Sequence, residues 1–338
     1  MAGKPWLQPP RRILTSFLAA VVACLIALAC LAYRILDQDR ALESQRIREQ
    51  LELAADLTAA SLTQKLNDSE KLLDVTPGAA SLPEGTILIA ADAQKLDRYG
   101  NQPLLFYPVL RETPEVSSDK LHRAELVEFQ KKDPGAAAAL SREESRSPDP
   151  ALRAAALVRL GRSLRKAGRN QEALAAYPEL ATLDSTPVSG LPAALVAREA
   201  RCSLFEASGR RHDLQREAAA LLGDLENGRW RLARSAYEFR ADEARRWMDS
   251  ESTPPQPADA LAISDAVENF TEQWLRSPEG SAGRRVHTAH SAPVLLAWRA
   301  TPDHFLAVAA GPSYLSSLWS GAFQTSGFAW RSPILREV

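Results

Sequence analysis

The chain has 338 residues, a net charge of −1, 45% hydrophobic residues and 25% charged residues. That balance is ordinary for a globular protein, and it excludes a nucleic-acid binder, which needs a basic excess on a domain. Cys24 and Cys30 fall inside one apolar run, which leaves Cys202 alone in the remainder, so stability there must come from packing and not from an internal disulfide.

Residues 1–12 carry Lys4, Arg11 and Arg12, with Pro9 and Pro10 as a break, and read as a short cytoplasmic N-terminus. From Ile13 to Ala32 twenty residues then pass without a charge. At 1.5 Å per residue such a run crosses a hydrocarbon layer of roughly 30 Å, and only a helix satisfies its backbone there. The sequence therefore predicts a transmembrane helix over 13–33. A cleaved signal peptide ending near Ala27-Leu28-Ala29 would have a shorter apolar core. A lipobox at Val21-Val22-Ala23-Cys24 would leave an apolar stretch on the mature N-terminus that a lipid anchor does not need. Arg34, Arg40, Arg46 and Arg48 follow the run, so the positive charges are balanced across it. The short N-terminus is placed inside and the rest outside. This makes a single-pass protein of the inner (plasma) membrane with a periplasmic or otherwise extracytoplasmic body, and the lipid bilayer is its first partner.

Residues 34–76 predict a long charged stalk helix. Ile47, Leu51, Ala54, Thr58, Leu62, Leu66 and Leu73 recur at three- and four-residue steps as one stripe. Ile47, Leu51, Leu62 and Leu66 are the candidate seam of a parallel homodimer, with Ala54 and Thr58 as its weak middle. The alternative is a solvated spacer that packs on its own domain. Thr76-Pro77-Gly78 ends the helix. In 82–115, Thr86–Ala90 and Leu104–Val109 read as the two strands of a small β-hairpin with a wide loop.

Over 119–250 the pattern turns helical. Leu157, Leu160, Gly161, Leu164, Gly168, Ala173, Tyr177 and Leu180 follow the spacing of a tetratricopeptide repeat, an antiparallel helix pair with small residues at the close approach. A second copy turns at Gly209, with Cys202 and Phe205 in its first helix. A weaker hairpin between Ala124 and Arg142 turns at Asp133-Pro134-Gly135, and Trp230 to Met248 predicts a further amphipathic helix. Ser252 to Pro257 is a linker. Residues 258–338 then give a helix at 258–276, strands at Ala292–Ala300 and Phe305–Ala310, and a last helix opened by Gly311-Pro312. That order is the start of an α/β sensor module of the PAS or Cache kind, incomplete because further strands are missing. The expected fold class is mostly α: membrane and stalk helices, tetratricopeptide-like hairpins, a small β-hairpin and this incomplete module.

Six of the seven tryptophans lie between Trp230 and Trp330. Trp298, Arg299 and Tyr314 flank the C-terminal hairpin and are the candidate ligand-binding residues, lining a pocket for an anionic small molecule. His287 and His290 are close in sequence but have no third ligand nearby, so they read as a polar loop and no metal is expected. Ser117-Ser118-Asp119-Lys120 has the serine–lysine spacing of penicillin-binding enzymes without their other motifs. Gly280-Ser281-Ala282-Gly283 reads as a turn with no strand before it. No catalytic residues and no cofactor are predicted.

A membrane helix, a charged stalk, a hairpin, then LRKAGRNQEALAAYPELATLD, NGRWRLARSAYEF and PVLLAWRA occur in this order. The layout resembles the N-terminal sensor region of bacterial membrane-bound sensor histidine kinases of two-component systems, over most of the chain up to about Phe323. The resemblance implies signal reception outside the cytoplasm, an unidentified small-molecule ligand and a kinase or other signalling protein as partner. The family's phosphoacceptor histidine box, asparagine box and ATP lid are not in this sequence, so the resemblance implies a truncated or orphan sensor half without kinase activity. The alternative is a membrane-anchored tetratricopeptide-like scaffold that binds a protein partner. A sensor ligand would bind the C-terminal module, and a scaffold partner the helical groove.

Overall fold

The computed structural model describes residues 11–74, 82–109, 119–248, 254–277, 281–289 and 292–325. The chain forms two units, residues 1–65 with 319–338 and residues 66–318. Helix α1 (Arg11–Lys71) is a single element that takes in the apolar run and the stalk without interruption. Along the run, Phe17, Leu18, Val21, Val22, Leu25, Leu28, Leu31 and Tyr33 are 40% to 70% exposed. Among the described residues no helix is long and apolar enough to cross a membrane. Ile13, Leu14, Ala19, Ala23, Cys24, Ile26 and Ala27 of the run lie outside the described side chains.

The stalk reaches the second unit at Leu66. A short 3₁₀ turn (Leu72–Asp74) follows α1. Strands β1 (Thr86–Asp92) and β2 (Leu96–Tyr99) come next and pair antiparallel. The second predicted strand, Leu104–Val109, is not part of the sheet. Its place is taken by Leu96–Tyr99 from the expected loop.

A stack of seven helices follows: α2 (Asp119–Phe129), α3 (Pro134–Glu144), α4 (Pro150–Lys166), α5 (Asn170–Ala181), α6 (Ala193–Ala207), α7 (Arg211–Glu226) and α8 (Arg234–Trp247). A two-stranded ribbon, β3 (Pro187–Val188) with β4 (Leu191–Pro192), joins α5 to α6. Each helix packs on its chain neighbours, as in a stack of helical hairpins. Asp133 and Asp149 cap α3 and α4 through their carboxylates, each with proline at the first helical position. Gly168 and Gly209 turn the chain at positive φ between paired helices. At the closest approach a Cβ on Gly161 would lie 2.6 Å from the ring of Tyr177, which is itself buried.

Helix α9 (Ala258–Arg276), strands β5 (Ser281–Ala289), β6 (Ala292–Ala300) and β7 (His304–Ala310), and helix α10 (Pro312–Thr325) complete the fold. The sheet has five antiparallel strands in the order β2-β1-β7-β6-β5. Its centre is the pairing of β1 with β7, which sets Leu88 opposite Val308. The module expected to be incomplete is therefore filled by the segment expected to be a separate hairpin, and the helical stack sits between β2 and α9 in the chain. Ser281–Ala289, expected as a turn and polar loop, is the edge strand β5.

Side chains alternate across this sheet. Ile87, Ile89, Val294, Leu296, Phe305, Ala307 and Ala309 face α9, where they meet Ile263, Val267, Phe270 and Trp274. Leu88, Ala297 and Val308 on the other face pack on Leu72 and Leu73, while Leu295 and Ala310 pack on Leu66, Tyr314 and Leu315. Leu66, expected in a dimer seam, is partly buried in this packing. Leu51 is 51% exposed, and Ile47 and Leu62 lie outside the described side chains.

The helical stack meets the sheet at residues 104–106. Leu104 belongs to the sheet core, while Leu105 and Phe106 belong to the helical core, and none is more than 1% exposed. The Leu105 N–H donates to Ser264 Oγ (2.9 Å) and the Tyr107 N–H to the Leu232 carbonyl (2.8 Å). Gly228, at φ +61°, lets the turn after α7 lie against this segment, since a Cβ there would come within 2.6 Å of the Leu104 carbonyl oxygen.

Gly161→Ala tests the repeat register. The buried tyrosine ring cannot swing away, so overpacking should cost about 1–3 kcal/mol, a drop of roughly 2–4 °C in Tm per kcal/mol. Adding Tyr177→Leu should recover part of the loss. An unchanged Tm for Gly161→Ala would show that α4 and α5 do not approach this closely.

Candidate functional site

A cavity of about 180 Å³ opens where the C-terminal end of α9 crosses β5 and β6, lined by Phe270, Gln273, Trp274, Ser277, Ser281, Arg285, Trp298 and Ala300. The aromatic wall is one packed cluster. Phe270 lies 5.1 Å from both Trp298 and Phe305, and Trp274 lies 5.1 Å from Phe305. Tilted and edge-on contacts at this distance are favourable and hold the rings in place. Gly283 pairs with Trp298 across the strands, and a Cβ there would meet the indole at 2.9 Å. The missing side chain lets the indole lie over β5. The Trp298 Nε1–H donates to Ser281 Oγ (3.2 Å) and the Trp274 Nε1–H to the Thr301 carbonyl (3.3 Å).

Arg285 is the one cation in this lining. Its guanidinium carbon is 5.4 Å from the Phe270 ring centroid and 5.9 Å from that of Trp298. Nη1 donates to Gln273 Oε1 at 2.6 Å, and the buried Nε has no hydrogen-bond partner among the described residues. Among the described residues no carboxylate pairs with Arg285. A second cavity, of about 220 Å³, lies by Tyr237, Glu238, Asp242, Arg245 and Pro257. Its arginine already holds Glu226 at 2.7 Å and Asp242 at 3.6 Å. The first cavity alone pairs an aromatic wall with a cation that lacks a counter-charge among the described residues.

The structure divides the three sequence-predicted ligand residues. Trp298 lines the cavity. Arg299, the next residue on β6, points to the opposite sheet face, where it is paired with Asp74. Tyr314 is on α10, also on that face, with its backbone against Gly85. Arg285 was missed because its strand reads as a turn and a polar loop. Its only sequence signal is the alternation of Gly283, Arg285, His287 and Ala289 beneath α9.

His287 is also accounted for. Its Nε2 lies 2.8 Å from Asp265 Oδ2, while His290 is outside the described residues. Among the described residues no group of His, Cys, Asp or Glu could hold a metal ion. Asp265 also pairs with Arg234, which reaches Glu268 at 2.5 Å and lies 4.4 Å from the Phe106 ring. This cluster joins α8 to α9 beside the buried 104–106 segment. Burial pushes the Asp265 carboxyl up, but hydrogen bonds from His287 and Arg234 outweigh it and hold the group below its ordinary value. Burial holds Glu268 above its own.

Compared with known proteins, the chain matches no family model, no curated protein and no solved structure.

The depressed Asp265 group adds stability above its unfolded value near pH 3.8, and this is lost as the pH falls through the lower folded value. Asp265→Asn should therefore cost about 1–3 kcal/mol at neutral pH. In urea titrations the gap to the parent should close below about pH 4. A gap that stays constant down to pH 2 would mean that the Asp265 charge does not hold this joint.

Proposed function

We propose that this protein is a membrane-anchored extracytoplasmic sensor of two-component type, which receives a signal in the sheet module and passes it along α1, with no kinase activity of its own. One observation carries the reading: β5 and β6 line the cavity with one face and hold the end of α1 with the other. Arg285 and Trp298 face the cavity. Their chain neighbours Arg284 and Arg299 bind Glu70 (3.1 Å), Asn67 (3.2 Å) and Asp74. Leu66, Leu72 and Leu73 pack against the same sheet face. A shift of either strand on ligand binding would therefore move the end of the stalk, and two packings a few kcal/mol apart are enough for a switch.

Membrane anchoring draws on the charge-free run at 13–32 and on the exposure of its described side chains, because exposed apolar surface on this scale calls for a lipid or protein cover. The homodimer through the stalk and the kinase or other signalling partner follow from the same reading. The scaffold alternative has less behind it. Phe129, an exposed aromatic on the helical stack, has Arg162 (5.1 Å) and Lys166 (4.1 Å) over its ring, which makes its surroundings basic and not an apolar groove.

Single cysteines along α1, in a background with Cys24, Cys30 and Cys202 replaced, test the reading in membranes. Ile47, Leu51 and Leu62 positions should crosslink between copies. Glu49, Asp56 and Leu66 positions should not, the last because it is packed in the body. Arg284→Ala with Arg299→Ala should change the crosslinking yields several-fold without lowering expression. A reporter fused after Leu73 should be active only outside the cytoplasm. Equal crosslinking on every face, or an active cytoplasmic reporter, would leave a passive spacer and rule out the sensor.

A further inference from the structure

We propose that the cavity beneath the end of α9 binds a small carboxylate with a flat apolar body. Arg285 takes the carboxylate, and Trp298, Phe270 and Trp274 take the body. The assignment of the ligand as a signal rests on the sensor reading above, but the binding does not.

Three features select this class. The guanidinium of Arg285 lies beside two adjoining rings with a neutral amide as partner, so its charge stays uncompensated within the described site. A planar guanidinium suits the two-oxygen geometry of a carboxylate better than a point charge would. The buried Nε, without a partner among the described residues, is the kind of donor that is costly to leave unpaired. The aromatic wall offers apolar ring surface, including the flat indole of Trp298. A volume of about 180 Å³ is smaller than the roughly 300–1,000 Å³ of drug-sized sites, which limits the ligand to metabolite size. The C-terminal end of α9 would repel an anion. Two of its last four carbonyls, however, are engaged by the Ser277 N–H, which reaches Gln273 O at 3.1 Å and Trp274 O at 3.2 Å.

Isothermal titration of the full chain in detergent tests this, with benzoate as probe and benzamide and acetate as comparators. Benzoate should bind, benzamide should bind at least tenfold more weakly for lack of charge, and acetate more weakly for lack of a ring. Arg285→Gln should weaken benzoate by roughly ten- to a hundredfold, the range for loss of a charged hydrogen bond. Trp298→Ala should weaken benzoate and benzamide alike, while Arg299→Gln should leave binding unchanged. Circular dichroism melts show whether each variant is folded, and Arg285→Lys, which keeps the charge, should retain part of the affinity. Equal binding of benzamide, or Arg285→Gln with unchanged benzoate affinity, overturns the proposal. Glu279 lies outside the described residues and carries the nearest carboxylate in sequence. Benzoate binding that appears only in Glu279→Gln would show that the chain itself fills the site, and absence of binding in both backgrounds would end the proposal too. The sensor reading fails separately: benzoate that binds but leaves the stalk crosslinking pattern unaltered keeps the site and removes its signalling role.

Discussion

Residues 104–106 run through the middle of this protein without belonging to a helix or to the sheet. Leu104 completes one core, Leu105 and Phe106 complete the other, and the backbone is tied to Ser264 on one side and Leu232 on the other. Burying each of these side chains is worth roughly 1.5–3 kcal/mol, so the segment fastens the helical stack to the sheet. Arg234 adds direction to this joint. It lies over Phe106 and bridges Asp265 and Glu268, which fixes the start of α8 against α9. The cavity is built on the later turns of that same helix, so its position depends on this joint.

A strand sends successive side chains to opposite faces, and β5 and β6 use this to carry two different tasks. Positions 285 and 298 supply a cation and an aromatic surface under α9, while positions 284 and 299 supply cations to the acidic end of α1. No change in secondary structure is needed to couple the two faces, because neighbouring residues of one strand move together. The salt links are exposed, with Arg299 and Asp74 both more than half exposed, and exposed pairs contribute little to stability. Their role here is geometric, since the apolar contacts of Leu66 and Leu73 hold the end of α1 in any case.

The helical stack is held by a different mixture of forces. Its apolar cores are rich in alanine, which lets helices approach closely but buries little area per residue. Charge pairs between helices supplement them. Glu128, with a side chain 1% exposed, receives Arg162 at 2.9 Å and Lys166 at 2.7 Å. Burial opposes its ionisation, but the hydrogen bonds from these cations outweigh it and keep the group below the usual carboxylate range. Glu199 is the opposite case. Its Oε1 is 2.8 Å from Arg240 Nε, yet neither atom counts as hydrogen-bonded, because the approach is poorly directed. Burial therefore prevails over Arg240, and the carboxyl is pushed up to about 7. Glu199 destabilises the fold increasingly as the pH rises from the ordinary carboxylate range towards 7.

The helices and their turns were legible in the sequence because their signals are local. The turns at Gly168 and Gly209, the Asp133-Pro134-Gly135 turn, and the spacing of Leu157, Gly161, Ala173 and Tyr177 all act within a few residues of where they stand. The apolar run at 13–32 and its continuation into a charged helix were legible for the same reason. The sheet was not. β1 pairs with β7 across the whole helical stack, and nothing in Thr86–Asp92 says which distant strand will cover its edge. Strand β5 was hidden because its covered face carries Gly283, Arg285 and His287 where a core strand would show valine, while its one valine, Val286, is 62% exposed on the other face. Arg299 was chosen as a ligand residue because it adjoins Trp298 in sequence, but the pleat places neighbours on opposite faces, so adjacency there argues against a shared site. The tertiary structure alone brought Arg285 to the aromatic wall: α9, β5 and β6 follow one another in the chain, but which of their faces meet is decided by strand pairing and helix packing.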